Sequence, residues 1–257
     1  MELIYEFKDD DPTFVVIKHT NPCGVATSEN HLEAWKRALA GDPVSAFGGI
    51  IVSNRSIDKE VAEELNKLFI EVLIAPGFSV EALSILKSKK NRILLDLKNY
   101  YRSPKKYKSC LNGEIEQDAD LLTEKAFDLE SVTNKKPSES EIADMIFANK
   151  IVKHTKSNAI VLVKNNQLVG IGVGQTSRID ALKQAIHKAA SFNLSVKDGV
   201  MASDAFFPFA DSVETAKEAG IEAVIQPGGS VKDKDSIEFC DKNGMSMVFT
   251  GNRHFKH

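Results

Sequence analysis

Short apolar runs alternate with segments of helical period along most of the chain. Phe14 to Lys18 predicts a buried strand, His31 to Leu39 a helix, Gly49 to Ser53 a strand, Lys59 to Leu68 a helix, and Val72 to Ala75 a strand ending in Pro76-Gly77. Helix Val80 to Lys87 and strand Arg92 to Leu97 follow. A polar stretch from Asn99 to Ser140, carrying Lys105-Lys106, Lys135-Lys136 and Pro137, interrupts the alternation. It marks the connection between two subdomains, with a pair of strands readable in Tyr107 to Gln117. The alternation resumes with helix Glu141 to Lys153, strand Ala159 to Val163, a tight Asn165-Asn166 turn, strand Gln167 to Val173 and helix Ser177 to Phe192. Strand Gly199 to Ser203, helix Ser212 to Ala219, strand Ala223 to Ile225, helix Lys234 to Asn243 and strand Met247 to Thr250 complete the chain. Ile/Val/Leu runs spaced by helices predict an α/β fold whose sheet is covered on both faces.

The second half echoes the first. Ser45-Ala46-Phe47 leads through a helix to Glu71-Val72-Leu73-Ile74-Ala75-Pro76-Gly77, and Asp204-Ala205-Phe206 leads through a helix to Glu222-Ala223-Val224-Ile225-Gln226-Pro227-Gly228. The expectation is two related α/β subdomains, residues 1–137 and 138–257, with a cleft between or beside them. Leu3, Ile4 and Phe7 have helical spacing with no capping residue ahead of them. The chain therefore reads as starting inside a helix, the mark of a fragment or a shortened product at the N-terminus.

Composition narrows the classes. With 257 residues, 42% hydrophobic, 27% charged and a net charge of −3, the chain is an ordinary globular protein without a nucleic-acid or anionic-membrane footprint. No run approaches the roughly 18 apolar residues of a membrane span. Cys23, Cys110 and Cys240 lie far apart, which disfavours a disulfide framework and makes a reducing cytoplasm the expected setting.

Chemistry concentrates where Lys18-His19 closes the first strand and Asn21-Pro22-Cys23-Gly24 follows, read as an irregular loop at a strand exit. A histidine beside an ammonium stays neutral and able to accept a proton, and the lysine suits a developing oxyanion. An ordinary surface turn is the plain alternative. Asn158, at the start of a strand, offers the donors and acceptor that a planar carboxamide pairs with, or else a simple cap. The Gly170-Ile171-Gly172-Val173-Gly174 run has the wrong glycine spacing for a dinucleotide loop. Gln175-Thr176-Ser177-Arg178 opens a helix with hydroxyls, free N–H groups and a guanidinium, a seat for a carboxylate or phosphate. Phe47, Phe206 and Phe207 are candidates to stack on a flat heterocycle, with core packing as the alternative. No zinc-deaminase ligand spacing and no nucleophile elbow is present.

Four segments carry a resemblance: Lys18-His19-Thr20-Asn21-Pro22-Cys23-Gly24-Val25-Ala26, Asp42-Pro43-Val44-Ser45-Ala46-Phe47-Gly48-Gly49, Ser203-Asp204-Ala205-Phe206-Phe207-Pro208-Phe209, and Thr250-Gly251-Asn252-Arg253-His254-Phe255-Lys256-His257. In this order they resemble the transformylase part of the bifunctional purine biosynthesis family, which joins phosphoribosylaminoimidazolecarboxamide formyltransferase to inosine monophosphate cyclohydrolase. The resemblance implies two cytidine-deaminase-like α/β/α subdomains lacking zinc, and homodimers with active sites at the interface. It implies formyl transfer from 10-formyltetrahydrofolate to the 5-amino group of 5-aminoimidazole-4-carboxamide ribonucleotide (AICAR). By resemblance His19 is the general base, Lys18 steadies the oxyanion or protonates the leaving nitrogen, and Asn158 grips the carboxamide. Asn21, Phe47, Glu71, Asp204, Phe206, Phe207 and Arg253 fall on the substrate side, and Arg178, Ile179 and Pro208 on the folate side. A monovalent cation, found in some relatives, is left open.

Two departures stand out. The cyclohydrolase region has no counterpart, and neither does the family's upstream Arg-Tyr-Gly-Xaa-Asn-Pro-His-Gln segment. The expectation is weak nucleotide binding and slow turnover, with a catalytically incomplete binding or dimerisation module as the rival reading and a zinc hydrolase as a remote one.

Overall fold

A computed structural model describes residues 1–257. In β1 (Thr13–Lys18) the alternation of side chains sends Phe14 and Val16 to one apolar core and Val15 and Ile17 to another, so this strand is buried on both faces. It pairs antiparallel with β2 (Asn21–Thr27) and with β3 (Gly49–Ser53), which continues in parallel to β4 (Ile70–Ala75) and β5 (Ile93–Asp96). The order is β2-β1-β3-β4-β5.

A polar hairpin, β6 (Lys105–Cys110) and β7 (Gly113–Asp118), stands apart as its own two-stranded sheet, where the sequence predicts a strand pair. Beyond it come a 3-10 turn at Ala126–Asp128 and β8 (Glu130–Ser131), both too short to leave a periodic signal.

The second sheet repeats the first. Strands β9 (Ile160–Val163), β10 (Leu168–Gly172), β11 (Val200–Ser203), β12 (Ala223–Gln226) and β13 (Ser246–Phe249) are ordered β10-β9-β11-β12-β13, with β8 added at the far edge. Again the first strand is antiparallel to both neighbours and the last three run parallel. The echo in the sequence is thus matched by a duplicated topology.

Helices α2 (His31–Ala40), α3 (Lys59–Leu65) and α4 (Val80–Leu86) cover the outer face of the first sheet, and α6 (Arg178–Ser191), α7 (Asp211–Glu218) and α8 (Asp233–Lys242) the outer face of the second. Between the sheets lie α1 (Glu2–Tyr5) and α5 (Glu139–Lys153), in one core drawing on Val15, Val52, Ile151, Val161 and Ile225. The fold is therefore α/β with an inner helix layer common to both sheets. No helix is long and apolar enough to cross a membrane.

At β2 and β10 the sheets meet edge to edge, through a bridge between Ala26 and Gln167 and a hydrogen bond from Thr27 N to Asn166 O of 3.0 Å. The predicted Asn165-Asn166 turn forms with both residues left-handed (φ 53° and 55°), and Asp144 accepts from both of their N–H groups at 2.7 and 2.6 Å.

One reading needs correction. Asn21-Pro22-Cys23-Gly24 is not an irregular loop but the start of strand β2. The ladder tolerates Pro22 because it stands opposite Ile17 where the register shifts, at a bulge that needs no donor there. The turn is shorter, carried by His19 (φ 48°) and Thr20 (φ 67°). Gly170 and Gly172 lie in strand β10, within the predicted strand Gln167 to Val173. All three cysteines are unpaired, and burial pushes the Cys23 and Cys240 thiols up to about 12.

Candidate active site

Because β1 runs against β3 and β4, its carboxyl end lies beside their amino ends. Lys18 therefore meets the segment entering β3, and its ammonium donates to the carbonyls of Phe47 (2.8 Å) and Gly48 (3.1 Å). Gly48 is left-handed (φ 65°), and a Cβ there would crowd the Lys18 Nζ at 3.2 Å. The Phe47 ring is exposed and packs on Phe69 at 5.1 Å, while Glu71 is exposed near the start of β4. His19 projects from the turn, and its imidazole makes no hydrogen bond within the chain. The Asn21 amide donates to the His19 carbonyl at 3.2 Å, and its oxygen accepts from Lys156 N at 3.2 Å, fastening the turn to the second half.

There the segment from α5 to β9 faces it. Asn158 donates to the carbonyls of Gln175 (2.9 Å) and Thr176 (3.2 Å), which leaves its own oxygen as the unused group. Asp204, fully buried after β11, accepts from Arg178 at 2.9 Å and from the Ser157 hydroxyl. Arg178, part of the expected anion seat at this helix start, has its charge committed to Asp204 instead, and its Nε is buried without a partner. Ser177 caps α6 by accepting from Asp180 N at 3.1 Å, and Ile179 packs against the outer core.

The two neighbouring phenylalanines part company. Phe206 is half-buried with the Arg253 guanidinium 5.9 Å from its ring centre, a contact Arg253 also makes with Phe255 at 5.8 Å. Phe207 is wholly buried among Leu162, Met201 and Val224, so the reading of it as a ring for a ligand is corrected to core packing. Pro208 is exposed.

A cavity of about 570 Å³ opens between the β6–β7 hairpin and the C-terminal tail, lined by Glu2, Lys106, His154, Phe255, Lys256 and His257 among others. Lys18, His19 and Asn158 do not line it. It adjoins their turn, because the Lys256 ammonium donates to His154 O at 2.7 Å and Thr20 O at 3.4 Å. Beneath it lies a buried charged cluster. Glu6 meets Arg102 and Lys153 at 3.1 Å and His154 at 3.0 Å. Burial works against its charge, but the hydrogen bonds from His154 and Thr123 and the Lys153 charge prevail and hold it at about 2. Burial lowers the pKa of His154, favouring the neutral ring. Sequence reasoning missed His154, Glu6 and Phe69, which carry no local motif. No three His, Cys, Asp or Glu side chains gather into a group able to hold a metal ion.

Fold and site together define a duplicated α/β protein with an unpartnered imidazole and an anchored ammonium at a strand turn between its halves. The chain belongs to the AICARFT/IMPCHase bienzyme family, whose model matches residues 1–188. It is 56% identical over 257 residues to the bifunctional purine biosynthesis protein PurH of Bacteroides thetaiotaomicron, covering 100% of this chain and 50% of that protein. It is 52% identical over 259 residues to the PurH of Caldicellulosiruptor bescii (100% and 49%), and 49% identical over 256 residues to that of Chlorobium chlorochromatii (99% and 49%). The chain spans about half the length of the curated relatives it matches.

Proposed function

We propose that this chain carries the formyl transfer from 10-formyltetrahydrofolate to the 5-amino group of AICAR. The observation that supports it most is His19, an exposed imidazole with no partner, on a turn anchored from both sides by Lys18 and Asn21. The amine is a weak nucleophile because its lone pair is delocalised into the ring and carboxamide. As that lone pair forms the bond to the formyl carbon, His19 takes the amine proton. Two of the three Lys18 donors are held by Phe47 O and Gly48 O, so the third is free to meet the oxyanion or to give a proton to the folate nitrogen as its bond to the formyl carbon breaks. The free oxygen of Asn158 accepts from the substrate carboxamide. Phe47 and Phe206 border the heterocycles, and Glu71, Arg253, Ile179 and Pro208 complete the substrate and folate sides; Asp204, expected on the substrate side, is wholly buried and paired with Arg178 and Ser157, so it supports the site from behind.

The same reading holds that the two halves, 1–137 and 138–257, are cytidine-deaminase-like units, and that two copies pair with sites at their interface in the cytoplasm. A monovalent cation is an optional companion to it, and no nucleic acid or membrane takes part. The test is tetrahydrofolate release from 10-formyltetrahydrofolate, followed spectrophotometrically with and without AICAR, for this chain and for His19→Ala. AICAR-dependent release that falls by about 10²- to 10⁴-fold in the variant bears the reading out. Calorimetric binding of AICAR with no release from the unaltered chain replaces it with an incomplete binding module.

A further inference from the structure

The C-terminal segment reaches the candidate site by an unusual support. His254 is buried, and both of its ring nitrogens face carboxylates: Nδ1 lies 2.6 Å from Asp120, and Nε2 lies 3.1 and 3.2 Å from the two oxygens of Glu124. An ionised carboxylate has no proton to give, so both nitrogens must donate and the ring is an imidazolium. Its backbone N–H donates to Asp204 O at 3.1 Å. On either side of this fixed point stand the groups that face the site. Arg253 lies over Phe206 and Phe255, Lys256 reaches His154 O and Thr20 O, and the Lys256 carbonyl accepts from Ser157 N at 2.9 Å.

We propose that His254 is a positioning residue for formyl transfer: pinned between Asp120 and Glu124, it holds the tail so that Arg253 and Lys256 are presented to the substrate beside the His19 turn. This rests on the formyl-transfer reading. The groups around the pin are consistent with it. Glu124 also accepts from Asn149 at 2.8 Å, and Lys153, itself on Glu6, stands 3.8 Å from Asp120. Burial alone would neutralise the ring, but the hydrogen bonds to Asp120 and Glu124 outweigh it and push His254 up to about 9. At neutral pH the pin is closed, and deprotonation leaves one nitrogen without a proton against a carboxylate.

Asp120→Asn is the decisive variant, because Asp120 is partly exposed and its loss leaves Glu124 paired to the ring. Three quantities are read against pH: KM for AICAR, kcat, and hydrogen exchange at the His254 and Ser157 amides. The expected result is a KM raised about tenfold at neutral pH with kcat within about twofold, since the loss is of binding geometry rather than of the reacting groups. Exchange at both amides should accelerate in parallel, and the alkaline rise in KM should move to lower pH. A variant that melts earlier but keeps KM, its pH profile and both amides unchanged would overturn the proposal and leave a merely structural pair. Should Asp120→Asn not fold, the unaltered chain decides: KM and exchange must climb together near pH 9, and a flat KM overturns the idea. If the unaltered chain transfers no formyl group, the formyl-transfer reading fails, while amide exchange and the calorimetric Kd for AICAR still test the pin.

Discussion

Lys18 and His19 divide one task. The imidazole is left unpaired, whereas the ammonium is tethered to two carbonyls of the 47–48 segment, and that tether gives the turn its aim. Lys18→Met should keep the apolar stem but lower kcat for formyl transfer by about 10²-fold, the scale of losing one oxyanion donor, with a stability loss of only about 1 kcal/mol. Steady-state kinetics beside thermal melting separates the two effects. The buried charges predict a two-sided pH profile of stability. Glu6 is held at about 2 against an ordinary 4.5, so its contribution is present above pH 4.5 and is lost as pH falls toward 2. His254 is raised to about 9 from 6.5, so its contribution is full below pH 6.5 and is lost as pH rises through 9. Each shift corresponds to on the order of 3 kcal/mol. Melting temperature scanned from pH 2 to 10 should therefore plateau between about 4.5 and 6.5, and a plateau extending unchanged to pH 10 would remove His254 from the account. Of these residues only the Lys-His pair was legible, since two polar side chains closing an apolar run stand out locally. The pairing of Arg178 and the burial of Phe207 could not be read from the sequence, because the Asp204 carboxylate and the outer core that claim them are brought close only by folding.

Elements repeat as the residues do. In each half an outer helix lies almost directly on a strand glycine. A Cβ at Gly24 in β2 would stand 2.0 Å from Ala38 O of α2, and one at Gly172 in β10 would stand 1.8 Å from Ala181 O of α6. Neither backbone can yield cheaply, so Gly24→Ala and Gly172→Ala should each destabilise by about 1–3 kcal/mol or more, read from urea midpoints at constant m. The inner helix α5 is set by a capping box, in which Ser138 Oγ accepts from Glu141 N at 3.2 Å and Glu141 accepts from Ser138 N at 2.7 Å. Ser138→Ala should cost about 1 kcal/mol. Strand β2 escaped the sequence because Pro and Gly usually punctuate, and only the bulge opposite Ile17 shows how this proline joins a ladder.

At the scale of the whole molecule, two sheets share one inner core, and α5 is buried on several sides within it. Ile151→Ala should cost about 2–5 kcal/mol. Because the core is common, the loss should also appear at Trp35, the single tryptophan, which lies on the far side of the first sheet. Tryptophan fluorescence and far-UV circular dichroism should give coincident urea transitions, both shifted; separate midpoints would mean the halves unfold independently. The sequence by itself determined the α/β class, the succession of elements apart from β2, β8 and the short 3-10 turn, the echo between halves and the Lys-His pair. Each of these is written in local periodicity, in β-branched runs or in adjacent residues. Only the tertiary structure decided which charges are spent and which are free. The partners of Asp204, Glu6 and His254 lie 26 to 148 residues away along the chain, and a hydrogen bond over such a separation leaves no mark on local pattern until the inner core and the two outer ones have closed.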